Sequence, residues 1–99
     1  MVKVGLWVRL EAAAGKAAEV EAFLKSAQPL AVEEAGTAAW FAVKLGPSTF
    51  AIFDVFADER GRDAHIGGRI ADALRAKAPQ LLAAPPVIEK HDVLAAKLG

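Results

Sequence analysis

The side chains best suited to chemistry lie between positions 62 and 69. Arg62, His65 and Arg69 are separated by three and four residues, which places them on one side of a helix. A histidine can act as a general base near neutral pH because its ordinary pKa is about 6.5. The two arginines could hold a phenolate or a carboxylate. This pattern predicts His65 as the catalytic residue and both arginines as substrate contacts.

The same residues also have a structural interpretation. His65 stands just before the apolar stripe of its helix, at the border of core and solvent, where a histidine can simply pack or cap. Asp58 precedes Arg62 by four residues, and Asp72 follows Arg69 by three, so the arginines could instead form surface ion pairs. The pattern leaves both interpretations open.

Other catalytic chemistry has little support. The chain has no cysteine, which excludes disulfides, thiolate ligands and a cysteine nucleophile. Its two histidines, His65 and His91, are far apart, which does not favour a metal site. No serine lies in a Gly-x-Ser-x-Gly setting. We therefore expect no metal and no other cofactor.

Composition indicates one domain, spanning 1–99, that binds neither nucleic acid nor membrane. Twelve basic and twelve acidic residues give no net charge, so the basic patch that either partner needs is not expected. No segment approaches the ~18 apolar residues of a membrane span. Charges at Lys3 and Arg9 interrupt the apolar start that a leader would need. We expect a cytoplasmic protein.

Alternating hydrophobicity predicts four strands. Residues 2–10 are apolar at every second position. Residues 37–45 and 48–56 flank a Gly-Pro pair and should form a hairpin. A last strand should begin at Val87.

Two helices are predicted between these strands. Pro29 should kink or end the first one. The second should begin after Asp58, a candidate N-cap, and end at Pro79. Gly67 and Gly68 should weaken this second helix while permitting close packing.

The order of elements predicts an α+β, ferredoxin-like βαββαβ fold, in which a four-stranded antiparallel sheet carries two helices on one face. Both side-chain rows of the hairpin strands are largely apolar, although an antiparallel sheet with one wet face should alternate. The uncovered face should therefore pack on the same face of a second copy, which predicts a homodimer.

One carboxylate interrupts an apolar row of the third strand. Asp54 shares its row with Phe50, Ile52 and Phe56, and a buried carboxylate without a partner costs several kcal/mol. The sequence therefore predicts a basic partner inside the fold. Arg9 and Lys44 are the candidates.

Large apolar side chains could form a pocket for a flat aromatic ligand. Burial in the core or in a dimer interface would explain most of them equally well. The predicted substrate contacts are Val8, Trp40, Phe53 and Phe56.

The stretch 36–74 resembles the antibiotic biosynthesis monooxygenase family, which includes quinol monooxygenases. The resemblance rests on Asp54-x-Phe56, an acidic turn after it, and His65 nine positions beyond Phe56. It implies a dimeric α+β barrel and a cofactor-independent monooxygenase that acts on a small aromatic or quinol substrate. His65 would remove a proton, and the resulting anion would react with oxygen.

Two departures from the family limit what the resemblance implies. Many members have a second histidine where this chain has Ile70. Haem-degrading members resemble one another in an asparagine, a tryptophan and a histidine at the positions of Val8, His65 and Arg75 here, so the axial ligand for haem is missing.

The sequence is also compatible in outline with three alternatives to a monooxygenase. RNA-recognition domains share the βαββαβ order, but the third strand lacks their basic, glycine-containing aromatic motif, which argues against this class. A non-catalytic dimeric barrel could bind a small hydrophobic ligand or a protein partner in the same pocket. An isomerase is the third alternative, since similar barrels only move protons.

Overall fold

The computed structural model describes residues 1–98 and contains one antiparallel sheet with helices on one face. The central strand, β1, pairs with β3 on one side and β4 on the other. The strand order β2-β3-β1-β4 is that of the predicted ferredoxin-like βαββαβ fold, which is confirmed. The strands are β1 (Val4–Glu11), β2 (Thr37–Lys44), β3 (Thr49–Phe56) and β4 (Val87–Asp92).

The helical segments number three rather than two within the described residues: α1 (Ala17–Glu33), α2 (Glu59–Ile66) and α3 (Arg69–Leu81). The second predicted helix is divided at two glycines, since Gly67 is the C-cap of α2 and Gly68 is the N-cap of α3. Glycine loses more backbone freedom in a helix than other residues. No helix in this part of the chain is long and apolar enough to cross a membrane.

Two of the five prolines lie inside helices. Pro29 lies within α1 and Pro79 within α3, so neither ends its helix, and the prediction that Pro79 does so is wrong. A proline lacks only its own N–H, and the residues beyond it can still donate. The amide of Glu34 donates to Ala31, and that of Leu82 donates to Ala78.

The start of α2 is fixed by a cap and by a close backbone contact. Asp58 is the N-cap, as predicted, and its Oδ1 accepts the amide hydrogen of Gly61 at 3.0 Å. A Cβ at Gly61 would lie only 2.8 Å from the carbonyl oxygen of Gly36. A capping box would have Glu or Gln at the third position of the helix, where this chain has Gly61. Glycine is needed there because α2 packs directly on the backbone before β2.

The helix-facing side of the sheet forms the core. Its buried apolar residues come from alternate positions of β1 and β3, and Asp54 is the charged residue in that row, with 0% of it exposed. Helices α1 and α3 cover this side with Val20, Leu24 and Ile70. The sheet residues of this core are Val4, Leu6, Val8, Leu10, Phe50, Ile52 and Phe56.

The opposite side of the sheet carries an aromatic surface without a cover among residues 1–98. The ring of Phe53 stacks on His91 at 5.6 Å and on Phe41 at 6.4 Å between centroids. Gly5 makes room for the imidazole, since a Cβ there would lie 2.3 Å from His91 Nε2. We call this surface the open face; its residues are Trp7, Phe41, Val43, Phe53, Val87 and His91.

Replacing Gly61 with alanine should destabilise the fold by about 1–3 kcal/mol, because the added methyl group meets backbone that cannot move aside. Gly46→Ala is the matched control, since nothing lies within 4 Å of a Cβ at that turn. Urea unfolding of the two variants measures the difference. Equal midpoints for both variants would show that the contact between Gly61 and Gly36 carries no such constraint.

A candidate functional site around His65

His65 connects three elements of the fold. It lies in the last turn of α2 and is 8% exposed. Its Nδ1 lies 2.5 Å from Oε1 of Glu34, at the end of α1, and its Nε2 lies 2.8 Å from Oδ2 of Asp54, in β3. We call these three residues the His65 cluster.

Local structure fixes each member of the His65 cluster. Glu34 is the C-cap residue of α1, and its Oε1 also accepts a hydrogen bond from the hydroxyl of Thr37 at 2.7 Å. Asp54 lies on the helix-facing row of β3. The ring of Phe56, two residues further along this row, packs 5.4 Å from the imidazole. The geometry therefore depends on α1, β3 and α2 packing together.

The electrostatics of the cluster favour a charged imidazole. Burial opposes its protonation, but the hydrogen bonds and negative charges of Asp54 and Glu34 outweigh burial and raise the pKa of His65 above the ordinary 6.5. An imidazolium has two N–H donors, and here each one faces a carboxylate.

Asp54 therefore has a basic partner, but neither predicted candidate provides it. Arg9 pairs in register with Ala51 and lies in the row of the open face. Lys44 contacts Glu21 at 3.4 Å. The prediction named Arg9 or Lys44 from either subunit; for the residues of the same chain it is wrong, because the cation that reaches this carboxylate comes from α2 and not from the sheet.

The two arginines do not join His65 in one exposed row. Arg62 is buried, and its guanidinium donates to the carbonyl oxygens of Gly5 and His91, both at 3.3 Å. Arg69 lies beyond the helix break, has 77% of its side chain exposed, and lies 3.7 Å from Glu33. The spacing that links Arg69 to His65 requires a continuous helix, which the two glycines prevent. A substrate-binding role for either arginine remains a prediction.

Of the four apolar residues predicted to contact a substrate, only Trp40 lines the cleft described next. This cleft has a volume of about 440 Å³ and lies between α1 and β2, where Leu24 and Phe50 also contribute to its wall. Val8 and Phe56 are buried in the core, and Phe53 lies on the open face, so none of the three lines this cleft.

Sequence reasoning missed Glu34 as a member of the site. It is 31 residues from His65 along the chain, and in the sequence it looks like an ordinary acidic residue near a helix end. The family resemblance gave the one signal that linked Asp54 with His65, because both belong to its motif. Among residues 1–98 no group of three or more His, Asp or Glu is arranged to hold a metal ion.

The pH dependence of stability tests the His65 cluster. A histidine whose pKa is higher in the folded chain stabilises the fold below its unfolded pKa and loses this contribution as pH rises through the folded value. The free energy of unfolding should therefore decrease as pH rises above about 6.5. His65→Gln should remove this decrease, whereas His91→Gln should keep it.

The same measurement gives the contribution of His65 to the free energy of unfolding. The expectation that it is a border position is wrong, because the ring is buried between two carboxylates. Below about pH 6.5, His65→Gln should cost about 3–5 kcal/mol, since Asp54 then stays buried without a cation. Urea unfolding over a series of pH values measures both quantities. Identical pH profiles for His65→Gln and the unmodified protein would contradict the assignment.

Comparison with known proteins places this chain in a family. No family model and no curated protein matches the sequence. A Nitrosomonas europaea protein of unknown function is 60% identical, with a TM-score of 0.98 over 100% of this chain and 96% of that one.

Two structures described as "putative antibiotic biosynthesis monooxygenase" match with lower identity. The one from Nitrosomonas europaea is 13% identical, with a TM-score of 0.82 over 93% of this chain and 90% of that one. The one from Caulobacter crescentus is 23% identical, with a TM-score of 0.79 over 95% of this chain and 92% of that one. The chain thus belongs to the family of the first Nitrosomonas europaea protein, and its fold is that of the structures described as antibiotic biosynthesis monooxygenases.

Proposed function

We propose that this protein is a cofactor-independent monooxygenase that acts on a small aromatic or quinol substrate. The observation that carries the proposal is the buried His65 cluster, in which one imidazole faces two carboxylates. Asp54 Oδ1 has no hydrogen-bond partner among residues 1–98. That oxygen therefore lacks a donor, and in the proposal it receives one from the substrate hydroxyl.

The proposed reaction begins with proton transfer from a substrate hydroxyl. The O–H bond breaks, and the proton enters the cluster at Asp54, next to the imidazole of His65. The imidazole of His65 faces a carboxylate at each ring nitrogen, so in this proposal it positions Asp54, and the role of proton acceptor passes from His65 to Asp54. Glu34 has 20% of its side chain exposed, so the cluster can return the proton to solvent there.

The oxidation step needs no outside reductant. The deprotonated quinol is electron-rich and reduces dioxygen, so that one oxygen atom forms a bond to the ring and the other leaves as water. A quinol and dioxygen thus give a hydroxyquinone and one water, with all electrons supplied by the substrate. The protein contributes a positioned base and a site that separates the anion from bulk water.

The open face supports a homodimer as part of the same proposal. Phe41 is 53% exposed there, beside stacked aromatic rings that a second copy could cover through a two-fold axis. Arg9 and Glu89 lie in the same row of the sheet and offer opposite charges at its rim. A stable pair should bury more than about 1,000 Å² in total.

Phe41→Glu should convert the dimer into a monomer, because it places a charge inside the apolar contact. Val32→Glu is the matched control, since Val32 is also an exposed apolar residue but lies on α1, away from the open face. Sedimentation velocity at micromolar concentration measures both. A monomeric unmodified protein would remove the dimer from the proposal.

A second candidate function has a specific observation in its favour. Both ring nitrogens of His65 contact carboxylates of the same chain. The cluster could therefore serve purely as a link between α1, β3 and α2. The protein would then be a non-catalytic dimeric barrel that binds a small hydrophobic ligand or a protein partner.

Oxygen uptake with a panel of quinols separates these functions. Asp54→Asn keeps the shape of the side chain but removes the charge that accepts the proton, so uptake should fall about 10²–10⁴-fold. Asp72→Asn, on the exposed surface of α3, is the matched control and should keep full activity. Rates are compared per folded protein, as determined by thermal unfolding of each sample. If no quinol supports uptake, the second candidate is favoured. If Asp54→Asn is as active as Asp72→Asn, Asp54 is not the proton acceptor.

A further inference from the structure

Two buried polar atoms beside the cleft lack partners. Trp40 Nε1 is a hydrogen-bond donor, and Asp54 Oδ1 is an acceptor, and neither has a partner within residues 1–98. Leaving such a group buried and unpaired costs about 1–3 kcal/mol each. Native structures contain few such atoms, and these two are of complementary type.

The sheet brings these two residues together. Trp40 in β2 and Asp54 in β3 are direct partners in the antiparallel register, so their side chains lie on the same side of the sheet. Opposed residues have Cβ atoms about 4.5–5.5 Å apart, which is within reach of an aromatic side chain. Both side chains project toward the helices, since Trp40 packs on the clusters that contain Leu24 and Ala31 of α1.

We propose that Trp40 Nε1 and Asp54 Oδ1 form a subsite for one hydroxyl group of a hydroxyaryl ligand. The indole N–H donates to the hydroxyl oxygen, and the hydroxyl donates to the carboxylate. A hydroxyl can accept one bond while donating another, which an ether or a bare aromatic ring cannot do. This inference rests on the proposed function and deepens it, because it identifies Trp40 as the residue that selects and orients the substrate.

The adjoining cleft fits the rest of such a ligand. Its wall is mostly apolar, with Leu24, Phe41 and Phe50 among its residues, and its volume of about 440 Å³ lies in the range of small-molecule sites. Asp54 does not line the cleft, whereas Trp40 does. Binding of the hydroxyl at both atoms would require the Trp40 side chain to rotate so that the cleft reaches the carboxylate.

The first test compares three probes by calorimetric titration of the unmodified protein in deoxygenated buffer. The probes are 1-naphthol, 1-methoxynaphthalene, which accepts but cannot donate, and naphthalene, which does neither. Each good hydrogen bond is worth up to about tenfold in affinity. We expect 1-naphthol to bind about tenfold more tightly than the methyl ether, and naphthalene to bind most weakly. Equal affinities for all three would overturn the subsite.

The second test isolates the indole N–H. Trp40→Phe keeps an aromatic ring but removes the donor, so it should lower affinity for 1-naphthol about tenfold and leave naphthalene nearly unchanged. Trp7→Phe, the same change on the open face, is the matched control and should keep the preference for 1-naphthol. If Trp40→Phe weakens both probes equally, Trp40 is only a packing residue. Binding requires no turnover, so a protein that prefers 1-naphthol but consumes no oxygen would support the subsite and contradict the monooxygenase.

Discussion

The contact of His65 with two carboxylates is the constraint on which the rest of this structure depends. Asp54 is fully enclosed in an apolar row, and its charge is tolerable there only because the imidazole meets it from α2. The same ring meets Glu34 from α1, so one side chain positions both helices against the sheet. A buried ion pair adds little net stability by itself but is costly to break, which makes it a strong determinant of geometry.

Much of the fold followed from short-range patterns. The alternating residues of β1, the Gly-Pro turn between β2 and β3, and the Asp58 cap each specify local structure within a few positions. The break between α2 and α3 was harder to predict, because a pair of glycines weakens a helix but does not determine whether packing keeps it continuous. The prediction that Pro79 ends its helix was wrong because the residues beyond it keep their helical hydrogen bonds.

The site was only partly readable from sequence. His65 and Asp54 were singled out, but their contact could not be inferred, because residues on a strand and on a following helix meet only once the chain crosses over the sheet. One error was avoidable. Phe53 and Phe56 are three residues apart on one strand, so they point to opposite sides of the sheet and could not both line one pocket.

Arg62 has a consequence that reaches beyond local packing. Its guanidinium binds carbonyl oxygens of β1 and β4, while His65, one turn later on α2, binds β3. Helix α2 is thus anchored at two points to different strands. A rotation of α2 at the cluster would also displace the backbone that carries His91. Mechanical strain at the buried charges would therefore be transmitted to the aromatic surface on the far side, and the two surfaces of the sheet would not respond independently.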